Sequence, residues 1–212
     1  IGATGLIGRS LVFELLKSEA YSEVIVLTRR DLVIKHSKLN QQLIDFDLLP
    51  NYSLYMQVDD VFCCMGSTQA KTPDLTLYRK IDFTYPLQVA KMTKELGAKQ
   101  FLLVSSMGAS VDSSIFYSRL KGEIEKAISD LNFPIYKIFR PSLLLGSRNE
   151  SRPLETISQY LMRILNVFFI GPLKKYKAIP GSTVAKAMLK TSLLTEPGKF
   201  TYQNDMIFDL AE

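Results

Sequence analysis

Short apolar, β-branched runs alternate along the chain with stretches whose apolar positions recur at helical spacing. Leu6–Ser18 places Leu11, Leu15 and Leu16 near one face and predicts a helix. Glu23–Thr28 (EVIVLT), Gln42–Phe46 (QLIDF), Asp60–Met65 (DVFCCM), Phe101–Ser106 (FLLVSS) and Ile135–Phe139 predict strands. Between them, Asp74–Leu96 reads as a long helical stretch with Pro86 as a kink or a start. Phe116–Leu131 reads as another helix. Most of the strand runs are continuously apolar rather than alternating, as in strands covered on both faces. The strand–helix alternation therefore predicts an α/β fold, a doubly wound parallel sheet with helices on both faces.

After Gly146 the pattern is less regular. Pro153, Pro172, Pro180 and Pro197 interrupt it, and helices are expected near Leu154–Phe169 and Thr183–Leu193. We read the chain as one domain, with residues 1–146 as its core. Residues 147–212 form a small C-terminal lobe of loops and helices on the ligand side. In such sheets ligands bind beyond the carboxyl ends of the strands.

The chain opens on a glycine turn, Gly2-Ala3-Thr4-Gly5-Leu6-Ile7-Gly8, directly before the first predicted helix. Such a turn normally follows a buried strand, and only Ile1 precedes it. The expectation is that the natural protein carries a first strand before residue 1. The G-x-x-G-x-x-G spacing lets the chain turn sharply, approach a pyrophosphate and pack its helix close to the sheet. The helix amino terminus then offers free amides and a positive dipole end to the phosphates. About 20 residues on, where an acidic residue would take the ribose 2′-hydroxyl of NAD, stand Arg29 and Arg30. Guanidinium suits the extra phosphate of NADP. Asp31 follows and keeps NADH in play, although less favoured. Asp45 and Phe46 close the Gln42–Phe46 run, where a carboxylate could accept a hydrogen bond from an adenine amino group.

Composition narrows the function classes. The chain has 212 residues, 47% hydrophobic and 22% charged, which is ordinary globular composition. The +5 charge fits an anionic ligand but is too diffuse to imply nucleic acid. No apolar run is long enough for a membrane span. The two cysteines, Cys63 and Cys64, are adjacent and bridge only with strain. Nothing points to an oxidising compartment, and a cytoplasmic location is expected. With one histidine, His36, in a polar stretch, there is little material for a metal site.

Tyr117 and Lys121 form Y-x-x-x-K inside a predicted helix, which puts both side chains on one face. Ser105 and Ser106 end the preceding strand. A phenol is a poor base at neutral pH, and a nearby ammonium favours its phenolate. The set suits proton transfer coupled to hydride transfer, with a serine hydroxyl on the substrate carbonyl oxygen. Tyrosine and lysine at this spacing also occur by chance. The preceding Ser-Ser strand end and the upstream glycine turn give the pair its weight.

GATGLIG, the Ser-Ser strand end with Y-x-x-x-K, and FRPSLLLGSR together resemble the atypical short-chain dehydrogenase/reductase superfamily. VFCCMGST, FLLVSSMGAS, YSRLKGEIE and FRPSLLLGSRNESRP resemble its Tat-interactive protein group of NADPH-binding oxidoreductases and their bacterial relatives. The resemblance implies a Rossmann-like fold with NADPH as cofactor and a carbonyl or alcohol as substrate. It implies phosphate contacts at Gly2, Thr4, Gly5, Leu6, Ile7 and Gly8, and a 2′-phosphate at Arg29 and Arg30. Asp45 and Phe46 would sit by the adenine, and Met65 and Gly66 by the nicotinamide or its ribose. Tyr117 would exchange the proton, with Lys121 as its partner. Leu144 and Arg152 match further positions near the cofactor. The catalytic serine falls at Ser105 or Ser106, with Ser106 preferred. Self-association is compatible with the superfamily. A second class of function also fits, a non-catalytic dinucleotide sensor or scaffold acting through a protein partner.

Overall fold

The computed structural model describes residues 1–145 and 175–212. The strands are β1 (Val24–Thr28), β2 (Leu39–Leu43), β3 (Asp60–Cys63), β4 (Gln100–Val104), β5 (Ile135–Arg140) and β8 (Gly198–Gln203). Two short pieces, β6 (Leu144–Leu145) and β7 (Ile179–Pro180), pair with each other beside them. The helices are α1 (Leu6–Lys17), α2 (Leu75–Arg79), α3 (Tyr85–Glu95), α4 (Phe116–Ser129), α5 (Gly181–Ser192) and α6 (Asn204–Ala211). Every strand pair is parallel, in the orders β1-β2 and β3-β4-β5-β8. This is the Rossmann-like parallel α/β fold.

Side chains alternate across β4 and β5, and both faces are covered. Phe101, Leu103, Tyr136 and Ile138 pack with Val89 of α3 and Ile124 and Ile128 of α4. Leu102 and Phe139 pack instead with Leu11 and Leu15 of α1 and with Val184 and Met188 of α5. Two buried faces explain the unbroken apolar runs in the sequence. Between β1 and β3 the sheet is interrupted by a cavity of about 520 Å³. Ile1 sits at its upper end: its amino group donates to Phe62 O (2.8 Å), and Cys64 N donates to Ile1 O (3.0 Å).

Three elements differ from the sequence pattern. The run predicted at Gln42–Phe46 is shifted: only Gln42 and Leu43 of it pair with β1. β2 is Leu39–Leu43, in register with β1 from Val24 opposite Leu39. Asp45 lies beyond it and caps a 3-10 segment, Phe46–Tyr55, by accepting the Asp47 N–H at 2.9 Å. β2 is an edge strand with no fully buried residue, so it carries polar Asn40, Gln41 and Gln42 instead of an apolar signature. The stretch from 74 to 96 is one helical run broken by a π-type turn, Lys80–Thr84, before Pro86 in the first turn of α3. Finally, Gly198–Gln203 adds β8 to the main sheet beside β5, so the C-terminal part supplies a strand as well as helices. That strand is half-exposed and follows Pro197, and its pattern is weak. The expected helix near Leu154–Phe169 lies outside the described residues.

At the amino ends of the strands a buried lysine closes the sheet. Lys137 Nζ donates to Gln100 Oε1 (2.6 Å) and to the carbonyls of Thr191 (2.5 Å) and Leu194 (2.6 Å). An ammonium at a helix carboxyl end is favourably placed against the dipole. It joins β4 and β5 to the end of α5 and leaves the opposite end of the sheet for ligands.

One contact is unusually tight. A Cβ on Gly122 of α4 would stand 2.3 Å from Ser110 C and 2.4 Å from Val111 N. The segment after β4 thus crosses α4 where no side chain fits. Gly122→Ala gains about 1 kcal/mol of helix propensity, but forcing backbone apart costs roughly 1–3 kcal/mol or more. We expect net destabilisation in urea unfolding; an equal or higher midpoint would contradict the crossing.

Candidate functional site

The glycine turn is built by close backbone approach. Gly2 has φ +82°, and a Cβ there would lie 2.3 Å from Cys64 C. A Cβ on Gly8 would lie 2.2 Å from Gly2 O, so the first turn of α1 rests directly on the glycine turn. Gly5 N donates to Gly2 O at 3.0 Å. Gly5 is the cap of α1, and it brings no side chain to bond the first helical amides, nor does the first turn hold an acidic residue. Such a terminus is suited to an external anion.

Around this turn lies a second cavity, of about 470 Å³, at the carboxyl ends of β1 and β3. It brings together Gly2, Thr4, Gly5, Arg29, Arg30, Phe46, Met65 and Gly66 from four separated pieces of chain. Arg29 and Arg30 are exposed at its rim. Thr28 holds their backbone in a turn, donating from Oγ1 to Arg30 O (2.9 Å). Phe46 and Tyr85 form an aromatic pair with centroids 5.4 Å apart, and the Tyr85 hydroxyl donates to Asp47 Oδ1 (2.7 Å). These groups fit a dinucleotide: a cradle no Cβ could share, cations beside it, and flat apolar surface.

Several predicted residues do not line this cavity. Ile7 is buried in the core and Leu6 packs on Gly181, so only their backbone is left for a ligand. Gly8 contributes by packing. Asp45 is turned to its capping role. Leu144 is half-buried against the cluster around α1 and α5. Arg152 lies outside the described residues. The sequence reading missed Thr28, Ser67, Lys71, Thr72, Ile81 and Tyr85, which line the cavity too. The segment holding three of them, Ser67, Lys71 and Thr72, follows the glycine after β3, a position that could have flagged it.

The residues predicted to be catalytic, Ser105, Ser106, Tyr117 and Lys121, do not line the cavity, and Lys121 approaches it at Gly66. Tyr117 and Lys121 stand one turn apart on α4, Tyr117 partly exposed and Lys121 buried. Lys121 Nζ lies 2.9 Å from Asp82 Oδ1, and Asp82 Oδ2 accepts the Ser67 N–H at 2.7 Å. Burial alone would push the Lys121 ammonium down; Asp82 and then Tyr117 outweigh it, and its pKa rises above the usual lysine value. Tyr78 donates to Ser67 O (3.0 Å), and burial with the charge of Asp82 pushes its phenol upward.

The two serines differ. Ser105 Oγ donates to Glu125 Oε1 (2.5 Å), and Glu125 is also gripped by Arg140 through Nε (2.9 Å) and Nη2 (2.5 Å). Ser106 Oγ is buried and has no hydrogen-bond partner among the described residues. Burial pushes both thiols up, that of Cys64 to about 12, so neither is a nucleophile at neutral pH. Among the described residues no acidic, cysteine or histidine cluster could hold a metal, and no helix is long and apolar enough to cross a membrane.

The NAD(P)H-binding family profile matches residues 2–140. Protein HTATIP2 of Rattus norvegicus is 35% identical, over 93% of this chain and 81% of that protein. Protein fmp52-1, mitochondrial, of Aspergillus terreus is 32% identical, over 91% of this chain and 85% of its own length. Among solved structures, UDP-glucuronic acid 4-epimerase from Bacillus cereus, in complex with UDP-glucuronic acid and NAD, superposes with a TM-score of 0.68. It shares 18% identity and covers 94% of this chain and 74% of that one; at this identity the likeness concerns the fold.

The serine pair gives opposite stability signs. Ser105→Ala removes a donor from a buried charge network and should cost about 1–3 kcal/mol in thermal or urea unfolding. Ser106→Ala removes an unbonded buried hydroxyl and should be neutral or stabilising. The reverse order would show that Ser106 carries the structural bond.

Proposed function

Because the chain belongs to the NAD(P)H-binding family, in the atypical short-chain dehydrogenase/reductase group with protein HTATIP2, we propose that it is an NADPH-dependent oxidoreductase acting on a carbonyl or alcohol. The observation that carries this reading is one cavity edged by a glycine turn and two arginines. It ends at a glycine against which the Lys121 ammonium rests.

Asp31 favours NADPH over NADH. Its carboxylate accepts from Val33 N (2.8 Å) and Gln41 Nε2 (2.9 Å). Those bonds, first the one from Gln41, hold its pKa low. The carboxylate is thus engaged in its own turn and away from the cavity, where an NAD-type enzyme would aim it at a ribose hydroxyl. Arg29 and Arg30 are the charged side chains left at the rim of β1 for a 2′-phosphate.

When bound, the dinucleotide supplies the hydride to the carbonyl carbon, or accepts it in the reverse direction. Tyr117 gives the proton to the substrate oxygen. Lys121, close enough for its charge to couple to Tyr117, stabilises the phenolate left behind. Ser106, with an unspent hydroxyl, donates a hydrogen bond to the same oxygen.

Tyr117→Phe should retain NADPH affinity and lose roughly 10²-fold or more in turnover. A panel of ketones, aldehydes and quinones, followed by NADPH absorbance, is the assay; unchanged turnover refutes the role of Tyr117. NADPH binding by the wild type without turnover of any of them would instead favour a sensor or scaffold. Replacing Arg29 and Arg30 by alanine should weaken NADPH by about tenfold or more and NADH little. Equal losses for the two dinucleotides would refute the phosphate assignment.

A further inference from the structure

The proposed proton transfer uses Lys121 and leaves Asp82 without a role. Asp82 is almost completely buried, and the π-type turn Lys80–Thr84 carries it. Its two oxygens are divided between two pieces of chain. Oδ2 takes the backbone N–H of Ser67 at 2.7 Å, in the segment after β3 that lines the cavity. Oδ1 stands 2.9 Å from the Lys121 ammonium on α4. Gly66 is fitted against both: a Cβ there would come to 3.2 Å from Asp82 Oδ1 and 3.3 Å from Lys121 Nζ.

A lysine head on a four-carbon stem has no preferred place unless something holds it. An ammonium has three N–H donors, and here its charge is paired with this carboxylate. A buried charge pair is costly to assemble, and removing one member leaves the other uncompensated. Resting on the oxidoreductase reading, we propose that Asp82 is a positioning residue for the nicotinamide half of the site. It fixes the Lys121 ammonium against Gly66, where it meets the nicotinamide ribose, and ties the Gly66–Ser67 turn to α4. The adenine half, with Arg29, Arg30 and Phe46, is held by other elements and does not depend on Asp82.

The test compares NADPH with 2′,5′-ADP, which lacks the nicotinamide ribose, by calorimetric titration. Asp82→Asn keeps an acceptor for Ser67 N–H and removes the charge. NADPH affinity should fall about tenfold or more, and 2′,5′-ADP affinity should stay as in the wild type. Equal loss for both ligands marks a merely structural role and overturns the proposal, as does unchanged NADPH affinity. Since Asp82→Asn strands a buried ammonium and could unfold the chain, the double variant Asp82→Asn/Lys121→Met removes both charges. It should fold and show the same loss confined to NADPH; wild-type NADPH affinity there overturns the proposal. A wild type that binds neither ligand overturns the oxidoreductase reading itself. Wild-type binding with an unaffected Asp82→Asn variant overturns the role of Asp82 alone.

Discussion

The backbone at Gly2 passes Cys64 so closely that even one added carbon would meet the Cys64 carbonyl carbon at 2.3 Å. This approach sets the geometry of the ligand end of the sheet. It presses the glycine turn onto the end of β3, and Gly8 then presses the start of α1 onto the glycine turn. The uncapped amides of α1 are thereby brought to the cavity between the ends of β1 and β3. Packing enforces glycine at Gly2 and Gly8, and the Gly5 N–H ties the turn by donating to Gly2 O. Two long-range ties complete the frame: the Lys137 clamp at the far end of the strands and the Asp82–Lys121 pair at the near end.

Most of the fold was legible because buried parallel strands announce themselves. β1, β3, β4 and β5 are continuous apolar runs, and helical spacing marks α1 and α4. What was not legible shares one cause. β2 and β8 are edge strands with polar, half-exposed residues, so hydrophobic patterning has little to report. Asp45, read as the end of a strand, lies beyond β2, where its carboxylate accepts the Asp47 N–H.

The site divides in the same way. Motif spacing points to candidates at a local position, such as Gly2, Arg29 or Tyr117. It does not identify Asp82, Tyr85 or Ser67, whose places depend on three elements meeting. The serines make the point sharply. Two identical neighbours differ only in that Glu125, twenty residues later, takes one hydroxyl and leaves the other. No short window of sequence contains that information.

The π-type turn at Lys80–Thr84 has a consequence for how this gene can change. Its i→i+5 bond, Tyr85 N to Lys80 O, accommodates one residue more than an α-helical turn would. Loss of a single codon there would restore a regular helix. It would also rotate everything on one side by about 100° relative to the other. Tyr78, bonded to Ser67 O, and α3, packed in the core, could not then both keep their faces. Point substitutions in this stretch leave that phase intact, whereas an insertion or deletion of one residue does not. The helix here should therefore tolerate drift in identity far better than drift in length.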